Sequence, residues 1–231
     1  MIKNLFIDLD DTIFDFHKAE HIAVFKALEE FGINPTKSIL DRYSVINLFQ
    51  WKLLEKGMIT RAEVKVNRFK LLLHELNSLA DPFSVAMLYE KYLSQGHYYM
   101  DGAHEAIVEL SRKYNLYLVS NGTSKVQHGR LDSSDLQQYF KEIFISEEIG
   151  LNKPDIGFFD YGFSKIPGFL KNESLMIGDS LSSDILGGLN AGIKTVWISM
   201  GKSVDKEIVP DFVINGIKEL PELLKNIAEN Q

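Results

Sequence analysis

The order of helical and extended patterns along the sequence predicts an α/β fold. We expect a doubly wound, Rossmann-like parallel sheet with an inserted all-helical cap. A buried strand, Leu5 to Ile7, opens the chain, and residues 14–96 then show only helical spacing. From Gly102 onward, short apolar runs alternate with helical stretches, which is typical of a parallel sheet with helices on both faces. Because the first strand has no strand partner in the helical block, it must join the later strands. The expected domains are a core of residues 1–14 and 98–231 and a cap of residues 15–97.

Four helices are expected in the block, and turn or cap residues bound each of them. The first runs from Phe14 to Phe31 and is capped by Gly32, with one apolar face formed by Ile22, Phe25, Leu28 and Phe31. The pattern Thr60-x-x-Glu63 fits a capping box at the start of the third helix. Asp81-Pro82 offers an N-cap followed by a proline in the first turn of the fourth. The expected helical ranges are 14–31, 38–56, 60–77 and 82–96.

The rest of the chain predicts strands separated by helices. The helix that follows the third of these strands contains Gly187-Gly188, which costs helix propensity and is best explained by close packing on the sheet. The expected strands in this part of the chain are 116–119, 143–145, 174–177, 194–198 and 212–214.

Composition excludes several classes of protein. The chain has 231 residues, 45% of them hydrophobic, which is enough for a substantial core. Its formal charge of −7 shows no basic excess for nucleic acid, and no apolar run approaches the roughly 18 residues that span a membrane. The absence of cysteine excludes disulfides and thiolate chemistry. We therefore expect a cytoplasmic protein, and we expect it to be a monomer or a homodimer.

Polar residues follow four of the predicted apolar segments. They are Asp8-x-Asp10-x-Thr12, Ser120-Asn121-Gly122, Lys153-Pro154 and Gly178-Asp179 followed by Asp184. An extended backbone would point Asp8 and Asp10 to the same side, where two like charges need a cation or a shared proton. The glycine in the second group lets backbone N–H groups approach an anion. Each group alone is also explained by an ordinary turn, a solvated lysine or a helix cap.

Together and in this order, the four groups resemble the motifs of the haloacid dehalogenase superfamily of phosphotransferases. The resemblance implies that Asp8 is a nucleophile that forms an aspartyl-phosphate, and that Asp10 is the general acid and then the base. It implies Mg²⁺ held by Asp8, the Asp10 carbonyl and Asp179, with Asp184 in the outer sphere. The phosphoryl group would be held by Ser120, Asn121, Gly122 and Lys153. Asp11 is expected to act in capping or packing.

The cap resembles that of the pyrimidine 5′-nucleotidases of this superfamily, and this implies a nucleoside monophosphate as substrate. The resemblance rests on Asn47, Trp51 and Arg68, which it implies contact the substrate, and on the segment 127–131. Trp51 could instead be a core aromatic, Arg68 could pair with a cap carboxylate, and Asn47 could be solvated. The alternative activities are those of a sugar-phosphate phosphatase or a phosphomutase, and a protein that only binds a phospholigand is disfavoured.

Overall fold

A six-stranded parallel sheet forms the core of the protein. The computed structural model describes residues 1–203 and 207–229. The strand order is β3-β2-β1-β4-β5-β6, with every neighbouring pair parallel, so the predicted α/β class is confirmed. The strands are β1 (Asn4–Ile7), β2 (Asn115–Ser120), β3 (Glu142–Ile145), β4 (Ser174–Gly178), β5 (Lys194–Ile198) and β6 (Phe212–Ile214).

Alternate residues of β1 enter the two cores on opposite faces of this sheet. Leu5 and Ile7 pack in one apolar cluster, and Phe6 packs in the other. The run Leu5 to Ile7 is therefore continuously apolar, because both faces of this strand are covered. The helices of this part are α5 (Ala103–Ser111), α6 (Ser124–Asp132), α7 (Ser146–Ile149), α8 (Ile156–Ser164), α9 (Leu186–Ala191) and α10 (Leu220–Glu229).

Four helices between β1 and α5 pack around an apolar cluster of their own. They begin with side-chain caps from Asp15, Thr36, Thr60 and Asp81, and the predicted capping box of Thr60 and Glu63 is present. Their ranges are α1 (Phe16–Glu29), α2 (Lys37–Glu55), α3 (Arg61–Glu75) and α4 (Pro82–Leu93). The domain limits of 15–97 and 98–231 remain predictions, and residues 204–206 and 230–231 of that core lie outside the described residues.

The predicted apolar face of α1 is partly wrong. Phe25 is 39% exposed, whereas Ala19, Ala23 and Ala27 are buried together with Leu28. The three alanines recur every four residues and so form one stripe of the helix. Their small side chains allow a close approach: a Cβ added to Gly96 would lie 2.9 Å from the Cβ of Ala19. Backbone proximity, rather than large apolar side chains, therefore decides which face of α1 is buried.

The adjacent glycines of α9 show the close packing on the sheet that the sequence predicts. A Cβ added to Gly188 would lie 2.7 Å from the Thr195 side chain and 2.9 Å from Met176 Cβ. A Cβ added to Gly187 would lie 2.6 Å from the Phe159 ring. The helix therefore rests its backbone on β4 and β5, which fixes the position of the loop that precedes it.

Candidate active site

A cavity opens at the carboxyl ends of β1, β2 and β4, beneath the helical block. From β1 the chain order runs outward to β2 and β3 in one direction, and β4, β5 and β6 follow in the other. The cavity lies at this switch point of the strand order, which is where open α/β sheets bind ligands. Nine of the predicted residues share the cavity wall, among them the charged residues of the four motifs: Asp8, Asp10, Lys153, Asp179 and Asp184. The sequence places them up to 176 positions apart, between Asp8 and Asp184, so the sheet topology brings them together.

Asp8 directly follows β1 and is held by one lysine. The Lys153 ammonium nitrogen donates to Asp8 Oδ1 at 2.6 Å, to Asp184 Oδ1 at 2.7 Å and to the Val119 carbonyl at 2.8 Å. An ammonium group has three protons, and all three are used by these bonds. Lys153 therefore orients Asp8 in this structure. A direct contact with a phosphoryl oxygen, as the sequence predicts, requires one of the three bonds to open.

The fourth motif folds Asp184 back toward the sheet. Its Oδ2 accepts a hydrogen bond from the Ser180 N–H at 3.1 Å, across a π-helical turn, Leu181–Ile185, that precedes α9. A Cβ added to Gly178 would lie 2.2 Å from the same oxygen. Only a glycine at the end of β4 leaves room for this carboxylate. The sequence predicts one regular helix here, and the wider turn is the difference that places Asp184 beside Lys153.

Three carboxylates form the cluster best suited to a cation. One oxygen each from Asp8, Asp179 and Asp184 lies within 4.8 Å of the other two. Burial raises the pKa of Asp8 well above its usual range, Lys153 opposes this, and neighbouring carboxylates add to it. Burial, and then the charges of Asp184 and Asp11, raise the pKa of Asp179 to about 8.

Negative charge at this cluster thus exceeds what the one ammonium of Lys153 offsets. Carboxylate oxygens are the ligands that Mg²⁺ prefers, and a divalent cation would supply the missing positive charge. The residues present therefore fit a magnesium ion. Asp184, which the family resemblance assigns to the outer sphere, also belongs to this cluster, with an oxygen within 4.8 Å of those of Asp8 and Asp179.

Asp10 lies on the cavity wall but turns its carboxylate toward α6. Nε2 of Gln127 donates to Asp10 Oδ2 at 2.7 Å, and Nη1 of Arg130 donates to Oδ1. The two donors are three positions apart on one helix, so they reach the same carboxylate from one face. Asp10 is thus fixed at both oxygens, while its side chain remains 27% exposed to the cavity.

The loop after β2 shapes the site through its side chains. Ser120 Oγ is buried, where it accepts from the Gly122 N–H at 3.0 Å and from Gln127 Nε2 at 2.7 Å. Asn121 accepts from the Lys153 N–H at 2.9 Å and donates to the Lys153 carbonyl at 2.9 Å. A Cβ added to Gly122 would lie 2.2 Å from Gln127 Nε2. Here Gly122 makes room for Gln127, and Asn121 holds the lysine segment in place.

The turn after the first motif behaves as the sequence predicts for Asp11. Its Oδ1 accepts from the N–H of Phe16 at 2.9 Å and of His17 at 3.4 Å, so it caps the start of α1. Asp11 itself has a positive φ of 56°. Thr12 is buried, and its hydroxyl finds no hydrogen-bond partner among the described residues. These residues define where the chain leaves the core for the helical block.

The three predicted cap residues lie in different places. Trp51 is half-buried on the cavity wall, a position that favours contact with a ligand over a place in the cap core. Arg68 also reaches the wall; its guanidinium lies 4.5 Å from the ring centre of Tyr89 and 3.9 Å from Glu90. Asn47 does not line the cavity. It is buried, accepts from Arg68 Nη1 at 3.0 Å and donates to Glu20, so it holds Arg68 rather than a ligand.

Arg61, which sequence reasoning missed, connects the helical block to the core. Nη1 donates to the carbonyls of Asn121 at 2.6 Å and Gly122 at 3.0 Å. Nη2 donates to Ser146 Oγ at 2.6 Å and to Asn152. The guanidinium also lies 5.5 Å from the Trp51 ring centre. One side chain at the start of α3 thus contacts the loops after β2, after β3 and before Pro154.

Gln127 and Arg130 are the other functional residues that sequence reasoning did not identify individually. Both lie on α6 directly after the second motif, with Gln127 1% and Arg130 0% exposed. An amide and a charged residue three positions apart on one predicted helix, directly after a motif, are the signal that could have identified them. Tyr89 and Glu90 also line the cavity, and no motif marks them in the sequence.

Comparison with known proteins places the chain in a family. Residues 5–198 match the haloacid dehalogenase-like hydrolases, and the chain belongs to this family. Over 98% of its length it is 37% identical to the pyrimidine 5′-nucleotidase PynA of Streptococcus pneumoniae, of which 97% is covered. It is 28% identical to the pyrimidine 5′-nucleotidase YjjG of Escherichia coli, with 95% and 96% of the two chains covered.

A relative of known structure is also similar to this protein in sequence and in fold. The HAD-hydrolase YfnB of Bacillus subtilis is 39% identical over 96% of this chain and 95% of its own. Its crystal structure, described as bound to magnesium and as revealing interdomain movement, superposes with a TM-score of 0.92 and covers 96% and 98% of the two chains. Within residues 1–203 and 207–229, every helix is too short or too polar to cross a membrane.

Proposed function

We propose that this hydrolase is a magnesium-dependent phosphatase that cleaves pyrimidine nucleoside 5′-monophosphates through an aspartyl-phosphate on Asp8. The observation that carries the proposal is the convergence of Asp8, Asp10, Lys153, Asp179 and Asp184 on one cavity. Phosphoryl transfer needs a positioned nucleophile, a proton donor and cations, and this set contains the first two and the ligands for the third. The 37% identity to a pyrimidine 5′-nucleotidase supports the substrate class.

The reaction proceeds in two steps on this chain's carboxylates. An Asp8 oxygen attacks phosphorus, the bond from phosphorus to the ester oxygen breaks, and Asp10 gives its proton to the departing alkoxide. Water then attacks the aspartyl-phosphate, Asp10 takes a proton from it, and Asp8 and inorganic phosphate are released. A magnesium ion held by Asp8, Asp179 and the Asp10 carbonyl, with Asp184 beside them, would offset charge on the transferring group. Lys153 keeps the Asp8 carboxylate oriented.

The substrate class is supported by the cavity wall on the cap side. Trp51 offers a flat apolar ring, and Arg68 and Glu90 offer a donor and an acceptor elsewhere on the wall of the same cavity. A base can stack on an aromatic ring and pair its polar edge with such groups, whereas a sugar has no flat face. We therefore expect UMP, dUMP and dTMP to be better substrates than purine monophosphates, since a larger base must fit under the same helices.

A phosphate-release screen tests both levels of the proposal. Pyrimidine and purine monophosphates, glucose 6-phosphate and phosphoglycolate are compared by kcat/KM with Mg²⁺ and after chelation. Release that needs Mg²⁺ and is lost in a folded Asp8→Asn variant is expected. Release that survives exhaustive chelation, or persists in Asp8→Asn, contradicts the mechanism. A sugar phosphate that exceeds every pyrimidine nucleotide contradicts the substrate class alone.

Trp51 provides the sharpest test of the cap side. Trp51→Ala should lower kcat/KM for dUMP by about tenfold or more, and for p-nitrophenyl phosphate much less, because only the nucleotide has a base to stack. Phe49→Ala is the matched control, since Phe49 lies on the same helix and is 58% exposed. Equal losses for both substrates would show that Trp51 acts only in packing.

A further inference from the structure

Arg130 contacts both segments through which the chain passes between the core and the helical block. Its guanidinium lies 5.1 Å from the ring centre of Phe14, in the segment between β1 and α1. Its Nε donates to the Gly96 carbonyl at 2.7 Å, in the segment between α4 and α5. Its Nη1 binds Asp10 and lies 3.2 Å from Gln127 Oε1. We call these two segments, between β1 and α1 and between α4 and α5, the crossings. One buried side chain therefore connects the two crossings to the carboxylate of Asp10.

The backbone leaves this arrangement little freedom. A Cβ added to Gly129, beside Arg130, would lie 2.8 Å from Ser94 Cβ, so α6 packs tightly against the end of α4. A Cβ added to Gly96 would lie 2.9 Å from the Cβ of Ala19, so this segment packs tightly against α1 as well. Interiors packed this densely transmit displacement rather than absorb it. A movement of the crossings is thus a movement of the Arg130 guanidinium and of the carboxylate bound to it.

The contacts of Arg130 differ from those expected of an ion pair that only stabilises the fold. Its Nη2 is buried and finds no hydrogen-bond partner among the described residues. An unsatisfied buried donor costs free energy, and replacing a whole buried ion pair by apolar side chains is often neutral or stabilising. Positions that break the local rules of packing and polar satisfaction are characteristic of functional sites. The burial of Arg130 against Asp10 therefore calls for a functional explanation.

We propose that Arg130, together with Gln127, is a positioning residue for the general acid. The two side chains hold both oxygens of Asp10 and tie its position to the crossings of the helical block. The inference rests on the proposed function, in which Asp10 protonates the leaving oxygen. Misplacing a reacting group by about 1 Å can cost about a hundredfold in rate, so the positioning residues should matter most where proton donation is needed.

Leaving-group dependence distinguishes positioning from packing. Phenyl phosphate and p-nitrophenyl phosphate have nearly the same shape, but phenoxide needs a proton on departure far more than p-nitrophenoxide does. Values of kcat/KM report the first transfer, in which the leaving group departs. Arg130→Met should lower kcat/KM about 30-fold or more for phenyl phosphate and less than about 3-fold for p-nitrophenyl phosphate, since general acids contribute about a hundredfold or more. Arg130→Lys should restore part of the loss, and the Mg²⁺ midpoint should not change.

A second variant keeps the test independent of the buried charge. Gln127→Leu retains Arg130 and should show the same dependence on the leaving group, with a smaller loss. In an Asp10→Asn background, neither substitution should lower kcat/KM further, because the group they position is gone. Thermal unfolding of each variant confirms that the folded protein is compared.

The outcomes separate this inference from the proposed function. Equal losses of kcat/KM for the two esters in Arg130→Met and Gln127→Leu, or losses that add to that of Asp10→Asn, would overturn the positioning role while leaving the phosphatase intact. No loss in either variant would overturn it as well. A wild-type protein that in Mg²⁺ hydrolyses neither these esters nor the pyrimidine monophosphates would overturn the proposed function, and the inference with it.

Discussion

Replacing Arg61 by methionine tests whether one side chain holds the helical block over the site. Its guanidinium donates to two backbone carbonyls, to Ser146 and to Asn152, all on the core. These hydrogen bonds exist only while the start of α3 lies against the core segments that contain Asn121, Ser146 and Asn152. Arg61→Met keeps a long apolar stem beside Trp51 but removes every donor. We therefore expect the substitution to favour arrangements in which the block has moved away from the core.

The magnitude follows from the number and kind of bonds. Hydrogen bonds to a charged group contribute about 1.5–3 kcal/mol each, but the contributions of one guanidinium are not additive. Arg61 is half-buried, so water replaces part of what is lost. A net cost of about 2–3 kcal/mol would shift the equilibrium between the two arrangements about 30- to 150-fold. The kcat/KM for dUMP should fall by up to this factor, whereas the melting temperature should change by only a few degrees.

The absence of cysteine in the sequence makes the block's position measurable. Cysteines introduced at Leu79, which is fully exposed in the helical block, and at Leu170, which is 51% exposed on the core, can carry a fluorophore pair. Energy transfer between them reports the distance between block and core, and it should fall in Arg61→Met. Arg42→Met is the matched control, because Arg42 pairs with Glu75 inside the block. Unchanged energy transfer and kcat/KM in Arg61→Met, or the same behaviour in both variants, would refute the reasoning.

Three further predictions address the core, the metal cluster and pH. In Gly178→Ala the new Cβ would lie 2.2 Å from the Asp184 carboxylate and would displace it from the metal cluster. The Mg²⁺ concentration for half-maximal phosphate release should therefore rise at least tenfold, and an unchanged midpoint would contradict this. Gly188→Ala overpacks α9 on the sheet and should lower the free energy of unfolding by about 1–3 kcal/mol in urea, whereas Gly216→Ala, whose Cβ would meet no described atom within 4 Å, should cost much less. Burial raises the pKa of Glu20 above its unfolded value. The native protein therefore binds this proton more tightly than the unfolded chain does, and its free energy of unfolding falls as pH rises from about 4 through the folded pKa. Glu20→Gln should reduce this decline, and an identical pH slope in both proteins would contradict the assignment.

Sequence patterns were sufficient for the class of fold and for the motif residues. Strand and helix alternation depends on local periodicity, and cap boxes such as that of Thr60 and Glu63 depend on neighbours in the chain. Motif residues at strand ends meet by topology alone: once β1 lies between β2 and β4, the residues after these strands share one edge. These features could be predicted because each rests on local preference or on a general rule of sheet construction.

The contacts within the cap and around Asp10 could not be predicted in the same way. Asn47, Trp51 and Arg68 look equivalent in the sequence, yet Asn47 lies behind Arg68 and Trp51 lies on the cavity wall. The burial of the alanine face of α1, instead of Phe25, depends on how closely α1 approaches the segment around Gly96. Such distinctions follow from distances between helices, which no periodicity contains.

The sequence by itself thus determined the parallel sheet, the inserted helices and the identity of the acidic and basic motif residues. Only the tertiary structure decided what each of them touches. Lys153 uses all three protons inside the protein, Asp10 is bound by Gln127 and Arg130, and Arg61 reaches across from α3. The physical reason is that these bonds join residues far apart in the chain, so their geometry depends on the packing of whole elements rather than on local preference.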